Sequence, residues 1–295
     1  MRNMGKIRMR LARTILLLLA FVGTALPAAA APAAATLDRI RDTATIRFAY
    51  REGAAPFSFR DRDGRVRGYS VELCTRIAGA IQKELGIREL KVEWVPADAA
   101  TRLELVASGN ADAECGTTTI TLSREKTVAF SLPIFVEGGS ALVDAKSKLT
   151  QFADLKGKRI AVIAGTTTEQ ALVREFNSMG LKAILVPVKS TAEGMAMLTK
   201  HKVDAFAGDR TVLGRLKLTA SRPADFDLLA NDFSFEPYGL VLPRDDPDFR
   251  LAVDRVLASL YRTGEIDPIF QRWLAPYGKP GPLLHAMFYL NTLPE

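Results

Sequence analysis

From Ile46 to Trp273, short apolar runs alternate with amphipathic stretches, the pattern of sheets whose faces are covered by helices. Ile46, Phe48 and Tyr50 alternate in a first strand. Leu73, Ile77, Ile81 and Leu85 then recur at four-residue spacing beside Cys74 and Ala78, which predicts a helix with Ser70 as its N-cap. Residues 90–95, 111–115, 159–164, 181–188 and 203–207 read as further strands. Residues 101–108, 166–179, 192–199, 247–261 and 266–273 read as helices, several of them closed by glycine. Two extended, glycine-bearing segments, 133–143 and 233–242, break the alternation and read as crossings between two lobes. The expected organisation is a discontinuous first lobe, 36–135 with 236–295, around a second lobe, 136–235.

The beginning of the chain follows a different pattern. Arg2, Lys6, Arg8, Arg10 and Arg13 precede the apolar run 15–26, and the alanine-rich segment 28–35 follows it. The order basic, apolar, small predicts a cleavable secretory signal over 1–35 and therefore a periplasmic mature protein. The apolar run is shorter than the roughly 20 residues that span a bilayer. This segment also changes the meaning of the charge. The 295 residues carry 40 Lys and Arg against 33 Asp and Glu, a net charge of +7 that would suit a nucleic-acid binder. Without the five basic residues of the signal the count is 35 against 33, and no nucleic-acid partner is expected.

In open α/β sheets ligands bind beyond the carboxyl ends of the strands. Arg51 and Arg102 lie just beyond two predicted strand ends, and Arg124 a few residues beyond a third. Two Gly-Thr-Thr-Thr segments, 116–119 with Thr117 and Thr119 and 165–168 with Thr166 and Thr167, follow two strands, and Asp209 another. Arginine binds carboxylates bidentately, hydroxyls and free amides complete the shell, and an aspartate neutralises an ammonium. The inventory suits an amino acid, and three arginines exceed what one α-carboxylate needs. The same residues have plain structural readings: Thr166 with Glu169 is a capping box, and Asp209 beside Arg210 an ordinary surface pair. With two histidines in the chain and no HExxH, CxxC, GxSxG or GxxxxGK[ST] motif, neither a metal site nor a cofactor is expected.

The segments EGAAPFSF (52–59), GYSVELC (68–74), DAECGTTT (112–119), REKTVAFS (124–131), FADLKGK (152–158) and AGTTTE (164–169) resemble the family 3 solute-binding proteins of polar-amino-acid ABC importers. The similarity is greatest to the glutamate/aspartate-binding members. It implies an α/β, two-lobed type II periplasmic-binding fold, each lobe a mainly parallel sheet, and a monomer that delivers an amino acid to a membrane permease. It implies that Arg124, with Thr119 and Thr167 and with Thr117 near by, holds the α-carboxylate. Asp209 would hold the ammonium, and Arg51 and Arg102 a side-chain carboxylate. Ala99 and Thr191 stand where those members carry a serine and a histidine. A lost hydrogen bond to a charged group costs about 1.5–3 kcal/mol, so the pocket is either weaker for glutamate or shaped for a longer or amidated relative.

Two questions stay open, one of covalent structure and one of function. Cys74 and Cys115, an even pair in an exported chain, form either a disulfide or two buried thiols. Glu114 and Glu236 leave room for a carboxylate acid, as in a cyclohexadienyl or arogenate dehydratase-like enzyme on the same fold. A ligand-sensing module is the third reading.

Overall fold

The apolar runs become strands of two separate five-stranded sheets in the computed structural model, which describes residues 35–295. The expected export signal lies outside the described residues, apart from Ala35. Helix α1 (Thr36–Thr43) leads into β1 (Thr45–Arg51) and a small three-stranded sheet of β2 (Gly53–Ala54), β3 (Ser58–Arg60) and β4 (Val66–Arg67). There follow α2 (Tyr69–Glu84), β5 (Lys91–Ala97), α3 (Arg102–Ala107), β6 (Ala113–Glu114) and β7 (Ala129–Phe130). A second run holds β8 (Phe135–Glu137), β9 (Gly139–Asp144), β10 (Arg159–Ile163), α4 (Thr167–Ser178), β11 (Ile184–Val188), α5 (Thr191–Thr199), β12 (Ala205–Asp209), α6 (Arg210–Thr219) and β13 (Phe226–Leu228). The chain returns through β14 (Glu236–Tyr238) and β15 (Val241–Leu242) to α7 (Pro247–Thr263), α8 (Ile266–Leu274) and α9 (Pro282–Leu290).

The first sheet has the order β5-β1-β6-β15-β7 and the second β11-β10-β12-β9-β13. In each, three adjacent strands are parallel, and two further strands join antiparallel. The sheets are therefore mixed, because the chain that returns through β15, or enters through β9, runs against the crossover strands. Between them β8 and β14 pair antiparallel, Glu137 opposite Glu236 and Phe135 opposite Tyr238. The edge-to-face rings of Phe57, Tyr69 and Phe135 and the stacked Phe135 and Tyr238 root this pair in the first lobe's core.

Helix α2 buries Leu73, Cys74, Ile77, Ala78 and Ile81 against α7 and α8. Burial of each large side chain contributes about 1.5–3 kcal/mol. Its expected cap is corrected: Ser70 lies inside the helix, and its hydroxyl donates to the Gly116 carbonyl at 2.8 Å. Gly68 is the cap residue, with φ at +135°, and a Cβ there would lie 2.1 Å from the Phe57 carbonyl oxygen. Strand β5 runs to Ala97 and β12 to Asp209, so Asp209 is the last residue of its strand and does not lie beyond its end. Helices α1 and α9 and the small sheet were not anticipated. Among the described residues no helix is long and apolar enough to cross a membrane.

Candidate ligand-binding cleft

The carboxyl ends of β1 and β6 face those of β10 and β12 across a cleft. Arg51, Arg102, Thr117 and Thr119 line it from the first lobe, and Thr166, Thr167, Thr191 and Asp209 from the second. Arg51 ends β1, and Arg102 opens α3 after β5. The Thr166 hydroxyl caps α4 by accepting from the Glu169 amide at 3.2 Å, while Glu169 accepts from the Gly165 amide, one residue before the cap. Seven of the eight candidates therefore meet in one place. Arg124 stands outside the walls: its Nη1 donates to the Thr119 carbonyl at 2.7 Å, and burial lowers its pKa. Ala99 does not line the cleft.

The charges on the first-lobe side are poorly satisfied. Arg102 is only 3% exposed, and its Nε and Nη1 have no hydrogen-bond partner among the described residues. Desolvation, followed by the neighbouring Arg51 charge, pushes it down to about 9. Glu114 beneath it is fully buried, with neither carboxylate oxygen partnered. Burial raises its pKa, opposed by Arg102 and Arg51. A Cβ on Gly116 would lie 2.0 Å from Glu114 Oε1, so only glycine fits between this carboxyl and the threonine loop. A pocket that leaves guanidinium donors dry and unpartnered is preorganised for an anion.

Glu236 bridges the lobes. Its Oε2 accepts from Thr119 Oγ1 and from Thr167 Oγ1, both at 2.7 Å, and its Oε1 accepts from Ser234 Oγ at 2.7 Å. A hydroxyl has one proton, so these two threonines can donate to a ligand carboxylate only after turning away from Glu236. Thr191 Oγ1 makes a second bridge, donating to the Gly53 carbonyl at 2.9 Å. On the second lobe Asp209 is half-buried and forms no ion pair with the described residues; Arg210 pairs instead with Asp232. Desolvation and the Glu236 charge push Asp209 up to about 6. Next to it, Glu137 accepts from the Thr211 amide at 2.6 Å and from the Tyr238 hydroxyl at 2.8 Å, and desolvation with the Asp209 charge pushes it up to about 8.

The sequence model of the bacterial extracellular solute-binding proteins, family 3, matches residues 46–276. The chain belongs to that family. A glutamate/aspartate import solute-binding protein of Salmonella typhimurium (strain LT2) is 34% identical over 246 residues, which is 82% of this chain and 81% of that protein. An L-glutamate/L-aspartate-binding protein of Pseudomonas aeruginosa is 34% identical over 81% of this chain and 79% of its own length. Among solved structures, an ancestral amino acid-binding protein that is a precursor of cyclohexadienyl dehydratase superposes with a TM-score of 0.70 at 28% identity, over 81% of this chain and 99% of that one. The fold is the type II periplasmic-binding fold that the resemblance implied.

In this family 3 protein Cys74 and Cys115 are joined, tying α2 to the residue that precedes the Gly116–Thr119 loop. The open alternative is thereby decided for the disulfide. Two features escaped sequence reasoning: Glu236 as a bridge between threonines of the two lobes, and Glu137 altogether. The only available signal was a carboxylate within each crossing segment, where an otherwise apolar or aromatic run enters the interior.

Proposed function

We propose that this family 3 protein is a periplasmic receptor, monomeric, that closes two lobes around an acidic amino acid and presents it to the membrane permease of an ABC importer. The lobes of the reading are 36–135 with 236–295, and 136–235. Asp209 takes the α-ammonium, Thr117, Thr119 and Thr167 take the α-carboxylate with Arg124 behind the cleft wall as its counter-charge, and Arg51 with Arg102 takes the side-chain carboxylate. Thr166 shapes the second-lobe wall by fixing the start of α4. The observation that carries this reading is Arg102: a buried guanidinium with two unpartnered nitrogens, in the same cleft as an unpaired aspartate of the opposite lobe. A zwitterion with a second acid group supplies a partner to each, and because its contacts span both lobes it stabilises the closed form over the open one. The names of the similar proteins support the same ligand class.

Equilibrium dialysis against labelled glutamate tests the reading. One equivalent per chain, recovered chemically unchanged, is the expected result. Failure to retain any acidic amino acid, or conversion of prephenate to phenylpyruvate by the purified protein, would overturn it in favour of an enzyme that uses the dry Glu114 carboxyl as an acid.

A further inference from the structure

Asp209 is the N-cap residue of α6, a position where aspartate ordinarily turns its carboxylate back onto the amide two or three residues on. Here it does not: no side-chain cap is made. The amide of Thr211, the second residue of the helix, donates to Glu137 Oε2 at 2.6 Å, and that of Arg210, the first, donates to the Gly138 carbonyl at 3.1 Å. The helix end is thus satisfied from outside, by two consecutive residues where β8 passes into β9. Glu137 is itself oriented from its other oxygen by the Tyr238 hydroxyl on the paired strand β14.

We infer that Glu137 is a positioning residue for ligand recognition: by capping α6 from the crossing strand it releases the Asp209 carboxylate from its local task and leaves it facing the cleft. Helix amides at a first turn draw the nearest carboxylate toward them. If Glu137 is removed, Asp209 is the carboxylate within reach, and folding back onto its own helix withdraws it from a bound ammonium. The same arrangement ties the start of α6 to the β8–β14 strand pair. The inference rests on the reading that Asp209 receives the ammonium.

The test compares glutamate with glutarate, which keeps both carboxylates and lacks the ammonium, by titration calorimetry on the full mature chain. In Glu137→Ala, glutamate affinity is expected to fall about tenfold, the order of a lost helix cap, while glutarate affinity stays within about twofold. Glu137→Gln, whose amide oxygen can still accept from Thr211, is expected to restore glutamate to within about threefold of the wild type. Equal losses for both ligands, or unchanged glutamate binding in Glu137→Ala, would overturn the inference. If Glu137→Ala does not fold, Glu137→Thr, a truncation suited to a strand, replaces it under the same criteria. Asp209→Asn separates the two levels. If it leaves the preference for glutamate over glutarate intact, the ammonium reading fails. If it abolishes that preference while Glu137→Ala leaves it unchanged, only the positioning role fails.

Discussion

Replacing Arg102 by methionine should stabilise the ligand-free protein while removing its affinity for acidic ligands. Methionine matches much of the arginine stem and fills irregular space without a charge. In the wild type the guanidinium is 3% exposed and two of its three nitrogens lack partners. The fall of its pKa from 12.5 to about 9 corresponds to about 5 kcal/mol of cost for keeping the charge, at 1.36 kcal/mol per pKa unit. Unpartnered buried donors cost about 1–3 kcal/mol each by an independent route. Allowing for imperfect repacking, Arg102→Met should gain about 2–4 kcal/mol in urea unfolding without ligand, a rise in Tm of about 5–10 °C for a chain of this size. The same change deletes two charged hydrogen bonds to the ligand, each worth about 1.5–3 kcal/mol, so glutamate affinity should fall at least about a hundredfold. Paired urea melts and titrations check both halves. A variant less stable than the wild type without ligand would show that Arg102 is satisfied structurally and not held ready for an anion. Unchanged glutamate affinity would refute its place at the ligand.

Three other outcomes follow from the same geometry. The Cys74–Cys115 bond closes a loop with a sequence separation of 41, worth about 4 kcal/mol in the chain-entropy model; Cys74→Ser with Cys115→Ser should lower Tm by about 10 °C, and an unchanged melt would contradict the cross-link. Glu236→Ala removes the acceptor shared by Thr119 and Thr167, so the ligand-free radius of gyration in X-ray scattering should increase as the lobes part; an identical radius would show that the bridge does not hold them. Asp209 and Glu137, at about 6 and about 8, sit above the ordinary carboxylate range. The native state therefore holds more protons than the unfolded chain between about pH 4 and 8, and these groups make the ligand-free protein less stable as pH rises through that window. An ammonium favours their ionised forms, so glutamate affinity should rise over the same window, by at most about tenfold per pH unit for each proton released; calorimetry in buffers of differing ionisation heat measures this, and affinity falling with pH would contradict it.

How much of this was legible depends on whether the determinant was local. The alternation at Ile46, Phe48 and Tyr50 and the four-residue spacing of α2 report which face is buried, and both elements form as read. The strand-end rule converted that skeleton into a cleft, because parallel strands bring their carboxyl ends together whatever their order in the chain. What escaped was set by distant partners. Ser70 looked like a cap because its hydroxyl precedes an apolar face, but the Phe57 carbonyl closing on Gly68 starts the helix two residues earlier. Helix α9 offers a short, largely apolar segment with no clear period, and it is ordered by Leu284, Met287 and Phe288 packing on the first-lobe core. Glu137 owes its role to α6, which begins 73 positions later, and to Tyr238, 101 positions away. No local pattern announces either.

The central claim is that one acidic amino acid spans the two lobes, with its extra carboxylate on Arg51 and Arg102. Titration calorimetry of the mature protein with glutamate, aspartate, glutamine, asparagine and alanine tests it most directly. One acidic ligand per chain is predicted, bound at least about tenfold more tightly than its own amide, since the amide leaves a buried guanidinium without its anion. Neutral amino acids binding as tightly as the acids, or acids failing to bind while neutral ones do, would contradict the account.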